Sequence, residues 1–211
     1  TQASSSAASD VYKRQVTIDG SNAKDFDDAV YAEESSDGFL LYVAIADVSE
    51  YVLQESSLDK EALSRATSVY FEKKVIPMLP ELISNKLCSL RPNEDKLVLT
   101  CEIYLDREGE IKSFEFFNSV ICSKNRLTYD EVEKFYQKGQ TALSDDILSN
   151  LSTLKKIHGL RRKIREERKA IDFYLPEYRP VGKDNKIIKF KSINHLLANL
   201  SLIHISEPTR Q

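Results

Sequence analysis

Eight consecutive apolar residues, Phe39-Leu-Leu-Tyr-Val-Ala-Ile-Ala46, constrain this chain more than any other feature. The run is far short of the ~20 residues a membrane-spanning helix needs. A short continuous apolar run reads as a strand buried on both faces, which demands a paired neighbour at each edge and cover above and below. The segment Ala29-Val30-Tyr31-Ala32 reads as one such neighbour. The small and polar residues of Glu34-Ser-Ser-Asp-Gly38 make the turn between them, with Gly38 able to take φ > 0.

Further strands follow from alternation. Leu97, Leu99, Cys101, Ile103 and Leu105 alternate with mostly polar residues, as a half-buried strand does. Asp106-Arg-Glu-Gly109 turns the chain, and residues 111–121 return to complete a hairpin. Val16-Thr17-Ile18 is a shorter apolar stretch that ends at Asp19-Gly20.

Helical signals are concentrated later in the chain. Ser57 is an N-cap candidate for a short helix with Leu58, Ala62 and Leu63 on one face. Ile76-Pro-Met-Leu-Pro80 cannot continue a helix, because its prolines fix φ and Pro80 keeps Leu79 extended. Thr128-Tyr-Asp-Glu131 is a capping box that opens a second helix. Ser144 opens a third, with Ile147, Leu151, Leu154, Ile157 and Ile164 as its buried stripe. Lys155, Lys156, Arg161, Arg162, Lys163, Arg165, Arg168 and Lys169 lie on its exposed side, and a solvated face is the preferred reading over a phosphate contact. Strands first and helices later predict an α+β fold, a mixed sheet with a hairpin followed by helices.

Composition bounds the rest. A chain of 211 residues with 41% hydrophobic residues and a net charge of -3 suits one domain, or one and part of another, and excludes general disorder. Cys88, Cys101 and Cys122 form no CxxC pair, which argues against a disulfide scaffold or a thiolate zinc site and predicts a reducing, cytoplasmic setting. No membrane partner is expected. The single methionine is Met78 and residue 1 is threonine, so a fragment is expected. Residues 1–15 and 202–211 are expected to be non-native or disordered tails around a body at 16–201.

The chemistry gathers at Asp19-Gly-Ser-Asn-Ala-Lys-Asp25-Phe-Asp27-Asp28. Four carboxylates stand there, with Lys24 alone in the segment to offset them. Two unit charges 4 Å apart repel by ~4 kcal/mol at an effective dielectric of 20. A fold that gathers them therefore needs cations or raised pKa values. Oxygen ligands without His or Cys suit Mg²⁺, with Mn²⁺ as a substitute. On spacing alone, a solvated acidic loop and a metal-holding loop stand equally open. An EF-hand is excluded, since counting from Asp25 puts Val30 where glycine is needed and Ser36 where glutamate is needed. A glycosyltransferase-type DxD remains a weak alternative.

The segment resembles the D-x5-D-x-D-D signature of the RNase II/RNase R family of exoribonucleases, the RNB catalytic domain. Other family segments follow in order: Val43-Ala-Ile-Ala-Asp-Val48, Leu58-Asp59, Arg65-Ala-Thr-Ser-Val-Tyr70, Ile76-Pro-Met-Leu-Pro-Glu81, Leu82-Ile-Ser-Asn-Lys-Leu-Cys-Ser-Leu90 and Ala170-Ile-Asp-Phe173. Within the family the match is to the RNase R branch, and it covers roughly residues 16–190.

This resemblance implies Mg²⁺-dependent, processive 3′-to-5′ hydrolysis of single-stranded RNA to nucleoside 5′-monophosphates. It assigns Asp19, Asp25, Asp27 and Asp28 as the catalytic, metal-holding aspartates. Asp19 and Asp28 would be the direct ligands, and Asp27 the residue whose loss harms chemistry while sparing binding. Tyr70 would stack on a base near the 3′ end. A monomer is expected for the full-length enzyme. The family's arginine-rich Ser-Pro-Ile-Arg-Arg-Tyr type segment and its OB domains are missing here, so this chain alone is expected to be inactive. A non-catalytic RNA-binding or scaffolding relative is the alternative, and the retention of all four aspartates ranks it lower. His158 is not expected to act as a base, and His195 carries little weight.

Overall fold

The computed structural model describes residues 9–10, 13–71, 74–139, 142–170, 177–183 and 186–193. The fold is α+β, as the segment order predicts. In chain order the strands are β1 (Ser9–Asp10), β2 (Val16–Asp19), β3 (Asp28–Glu34), β4 (Gly38–Ala46), β5 (Val69–Tyr70), β6 (Val75–Ile76), β7 (Asp95–Asp106), β8 (Ile111–Cys122), β9 (Asn125–Thr128), β10 (Glu177–Lys183) and β11 (Lys186–Ile193). The helices are α1 (Ser57–Arg65), α2 (Tyr129–Lys138) and α3 (Asp145–Glu167). A seven-stranded sheet carries the order β1-β8-β7-β4-β3-β2-β9, while β5–β6 and β10–β11 form separate two-stranded pairs. The large sheet is mixed: β1 runs parallel to β8 and β9 parallel to β2, whereas the other pairings are antiparallel.

The apolar run behaves as its composition requires. It becomes β4, the middle strand of the large sheet, between β3 and β7. Leu41 and Val43 point to one face, where they meet Ile103 and Leu105 of β7, Val132 of α2, and Ile147, Leu151, Leu154 and Ile157 of α3. Burying a side chain of that size contributes about 1.5–3 kcal/mol. The opposite face carries small residues, Ala29, Ala44 and Ala46, which let Ile83, Cys88 and Leu90 pack close. Cys88 belongs to a π-helical turn over Ile83–Leu87, closed by its N–H donating to the Ile83 carbonyl at 2.9 Å. Both faces of β4 are thus covered over most of its length, by different parts of the chain.

Local expectations need four corrections. Gly38 does not adopt a positive φ; a Cβ there would lie 1.9 Å from the Leu105 carbonyl oxygen, so glycine is needed for close approach to β7. The N-cap of α1 is Ser56, whose hydroxyl accepts from the Asp59 N–H at 3.1 Å, and Leu63 is 79% exposed because only the Ala62 side of this short helix meets the core. Leu97 and Leu99 share a face with the buried Cys101, Ile103 and Leu105, yet both are exposed, as is Ile45, the β4 partner of Leu99. The helices cover the Leu105 end of that face and leave this end open. Lastly, the first fifteen residues are not uniformly a tail. Gln15 is fully buried, and its carbonyl accepts from the Lys124 N–H at 2.8 Å.

The Thr128–Glu131 capping box is present, with both reciprocal bonds made, and the α3 stripe is buried as expected. Among the described residues, β2 and β3 pair at Val16 and Val30, and β3 runs on past that pair without a strand partner on its β2 side. Asn150 of α3, itself buried, fills that gap by accepting the Ala32 N–H at 2.9 Å. Ala170 is described, but the rest of its segment, Ile171-Asp-Phe173, lies outside the described residues, as do His195 and the expected tail at 202–211.

Candidate metal centre

The topology brings the four aspartates to one end of the large sheet. Asp19 is the last residue of β2 and Asp28 the first of β3. Because these strands are antiparallel, the loop 20–27 joins them at a single edge. The C-terminal end of β4 arrives there too, since Asp28 faces Ile45. So does the end of β9, where Thr128 faces Asp19.

The loop is held from outside itself. Buried Ser89 donates its hydroxyl to the Lys24 carbonyl at 3.0 Å and accepts the Phe26 N–H at 3.1 Å, one bond on either side of Asp25. The Leu90 N–H donates to the Phe26 carbonyl at 2.8 Å, and the Ala46 N–H donates to the Asp27 carbonyl at 2.9 Å. These bonds engage the loop backbone and not the aspartate carboxylates.

The electrostatics record the crowding. The Asp19 carboxyl is pushed up to about 7, by burial first and then by the neighbouring Asp28; the Thr17 hydroxyl and the Arg126 guanidinium pull the other way, and Asp27 adds a smaller upward push. Asp28 is raised by burial and by Asp27. Asp27 keeps an exposed edge, yet the surrounding protein and then Asp25 raise it as well. Asp19, Asp27 and Asp28 are thereby held above the ordinary carboxylate range. In addition, Asp19 Oδ2 is buried without a hydrogen-bond partner among the described residues.

These observations fit a hard divalent cation, which would supply the missing partner and relieve the mutual repulsion. The four side chains do not form a complete all-protein cage, for no ready-made group of three ligating side chains occurs among the described residues. A divalent cation there would complete its shell with water or substrate oxygens.

Sequence reasoning missed three contributors. Arg126 on β9 reaches the loop, with Nη2 donating to the Gly20 carbonyl at 2.5 Å. Tyr129 opens α2 near the acids, and its phenol is raised by burial and then by Asp19 and Asp28. Ser89 lay within a quoted segment without a role. Only the parallel pairing of β2 with β9 brings residues 126–129 beside residues 17–19, and nothing local in the sequence signals that pairing.

Tyr70 stands apart from the aspartates in sheet membership. It lies on the β5–β6 hairpin and is 68% exposed. The basic side of α3 is largely occupied: Lys156 pairs with Glu34, Arg162 with Glu166 and Arg168 with Glu110, and Lys155 donates to the Tyr136 carbonyl. His158 is buried on α3. An open groove lined by residues of β3 and α3 together with Lys13 and Arg14 includes none of the four aspartates. Its charges are paired, Lys13 with Glu33 and Arg14 with Asp146, which makes it a packing seam.

Residues 11–204 match the RNB domain, and this chain belongs to that family. Among curated relatives it is similar to "Ribonuclease R" of Acidithiobacillus ferrooxidans, 48% identical over 160 residues, covering 75% of this chain and 36% of that protein. The fold matches Mycoplasma genitalium RNase R, solved in complex with ribose methylated single-stranded RNA, at a TM-score of 0.91 and 34% identity over 95% of this chain and 32% of that one. The chain thus spans about a third of the length of these relatives. A yeast pseudonuclease, Ssd1, shares the fold at a TM-score of 0.70 and 20% identity.

Proposed function

We propose that this chain carries the metal-holding part of a hydrolytic 3′-to-5′ exoribonuclease that acts on single-stranded RNA and releases nucleoside 5′-monophosphates. The observation that carries the reading is the crowding of Asp19, Asp27 and Asp28, all raised, with one buried oxygen of Asp19 left without a partner among the described residues.

Asp19 and Asp28 would hold Mg²⁺ directly, with Asp25 and Asp27 completing the acidic set; Mn²⁺ would substitute. When bound, the metal supplies activation of water and stabilisation of the leaving oxygen. The protein's own part is to hold the acidic loop in place, which the Ser89 and Leu90 bonds to its backbone do. Tyr70, exposed on its hairpin, has the freedom to stack on a base, a contact that contributes about 1–3 kcal/mol without sequence preference. A net charge of -3 gives this part little general affinity for a polyanion, so tight RNA binding and efficient turnover require further basic surface. We therefore expect the 211-residue chain alone to bind metal and not to degrade RNA efficiently. Three unpaired cysteines suit a reducing cytoplasm.

The test is a Mg²⁺-dependent exonuclease assay on the complete enzyme, comparing wild type with Asp27→Asn. Loss of turnover with RNA binding retained is expected; equal rates would discard the assignment. A second reading, a non-catalytic RNA-binding relative, draws on the likeness to a pseudonuclease fold. Retention of all four aspartates weighs against it, and absence of any metal-dependent turnover by the complete enzyme would favour it.

A further inference from the structure

Arg126 makes two contacts that no part of the local sequence prepares for. Its Nη2 donates to the Gly20 carbonyl, immediately after Asp19. Its guanidinium also lies over the Phe26 ring, 5.5 Å from the centroid, and Phe26 sits between Asp25 and Asp27. One side chain thus ties together the two legs of the acidic loop. Arg126 is fixed at its own end by β9, opposite Thr17 of β2, so the tie is anchored in the sheet that carries Asp19.

On the reading that this loop holds a divalent metal, we propose that Arg126 is a positioning residue that sets the span between Asp19 and the Asp25–Asp28 leg through its paired contacts with Gly20 and Phe26. The geometry explains why arginine is needed. A guanidinium is planar, so it can donate from one edge while its face rests on a ring; a lysine ammonium offers a point charge and cannot do both in one fixed orientation. It also separates positioning from simple charge balance. A cation beside the acids opposes a second cation electrostatically, so if Arg126 were only a counter-charge, its removal would tighten metal binding. If it sets the span, its removal weakens binding.

The experiment is a Mn²⁺ titration of the 211-residue chain, read by electron paramagnetic resonance of free Mn²⁺ and by water-proton relaxation of the bound ion. Arg126→Met is expected to raise the Kd about 10-fold or more, as loss of groups that orient metal ligands does. More water should remain on the bound ion, because a loosened loop supplies fewer oxygens. Arg126→Lys should recover only part of the affinity. Phe26→Leu should weaken binding in the same direction, and the double variant Phe26→Leu/Arg126→Met should be no worse than the poorer single one, since both remove one tie. If Arg126→Met fails to fold, the Lys and Phe26 variants carry the test. Saturable binding by wild type with unchanged or tighter binding by the variants would overturn the positioning role while leaving the metal site standing. No saturable binding by wild type would remove the metal reading and this proposal together.

Discussion

The hydroxyl of Ser89 accepts the amide N–H of Phe26 at 3.1 Å across 63 positions of sequence, and it donates to the carbonyl of Lys24. It thereby fixes the backbone on both sides of Asp25 from a segment that packs on the opposite face of the sheet from α2 and α3. Replacing Ser89 by Ala leaves both backbone groups without this partner, at a cost of about 1–3 kcal/mol in all. Thermal unfolding should record that loss. Divalent-metal affinity should fall more than stability implies, since the loop that moves carries the acids. Unchanged Mn²⁺ affinity in a folded Ser89→Ala protein would contradict the clamp.

The pH dependence of the metal-free protein follows from Asp19. Its carboxyl rises from the ordinary 3.8 to about 7 on folding. Between those values the folded state keeps a proton that the unfolded chain has released, so stability falls as pH rises across that window and levels off above it. The midpoint of thermal unfolding should be higher at pH 5 than at pH 8 from this contribution, and Asp19→Asn should flatten the difference. Mg²⁺ should recover stability at pH 8 by binding the ionised form. A wild-type profile with the same slope as Asp19→Asn would rule the site out as its source.

Relief of repulsion predicts a trade-off at Asp28. Burial and Asp27 both penalise its ionised form. Asp28→Asn should therefore raise the melting temperature of the metal-free protein at pH 8 while abolishing most Mg²⁺-induced stabilisation. Scanning calorimetry with and without Mg²⁺ measures both. A variant that is destabilised without metal would show that the carboxylate is satisfied by protein groups after all.

Gly38 tests the fold rather than the site. A methyl group there meets the backbone of Leu105 and Asp106, which no side-chain rotation can clear. Gly38→Ala should cost about 1–3 kcal/mol or more by forcing β4 from β7. Denaturant unfolding reports the change. Neutral behaviour would mean that the close approach is not maintained in solution.

How much of this was legible beforehand depends on the range of the interaction. The Phe39–Ala46 run announced a buried strand because its residues carry that information themselves. The Thr128–Glu131 box and the α3 stripe were equally local, a matter of spacing on one helix. The acids at 19, 25, 27 and 28 were visible as a cluster, and ordered family segments gave them a meaning that spacing could not. By contrast, Leu63, Leu97 and Leu99 fit apolar patterns and yet stay exposed, since a pattern names a face without saying how far its cover extends.

Sequence alone therefore determined which segments could be strands and helices, and that four carboxylates would have to share a short loop. The tertiary structure decided what surrounds them: Ser89 and Leu90 on one side, Arg126 and Tyr129 on the other, each delivered by pairing or packing between distant segments. The physical reason is one of distance along the chain. Burial patterns and caps are written within a few residues, whereas a parallel pairing such as β2 with β9 depends on competition among all strand edges at once, and only the folded sheet resolves it.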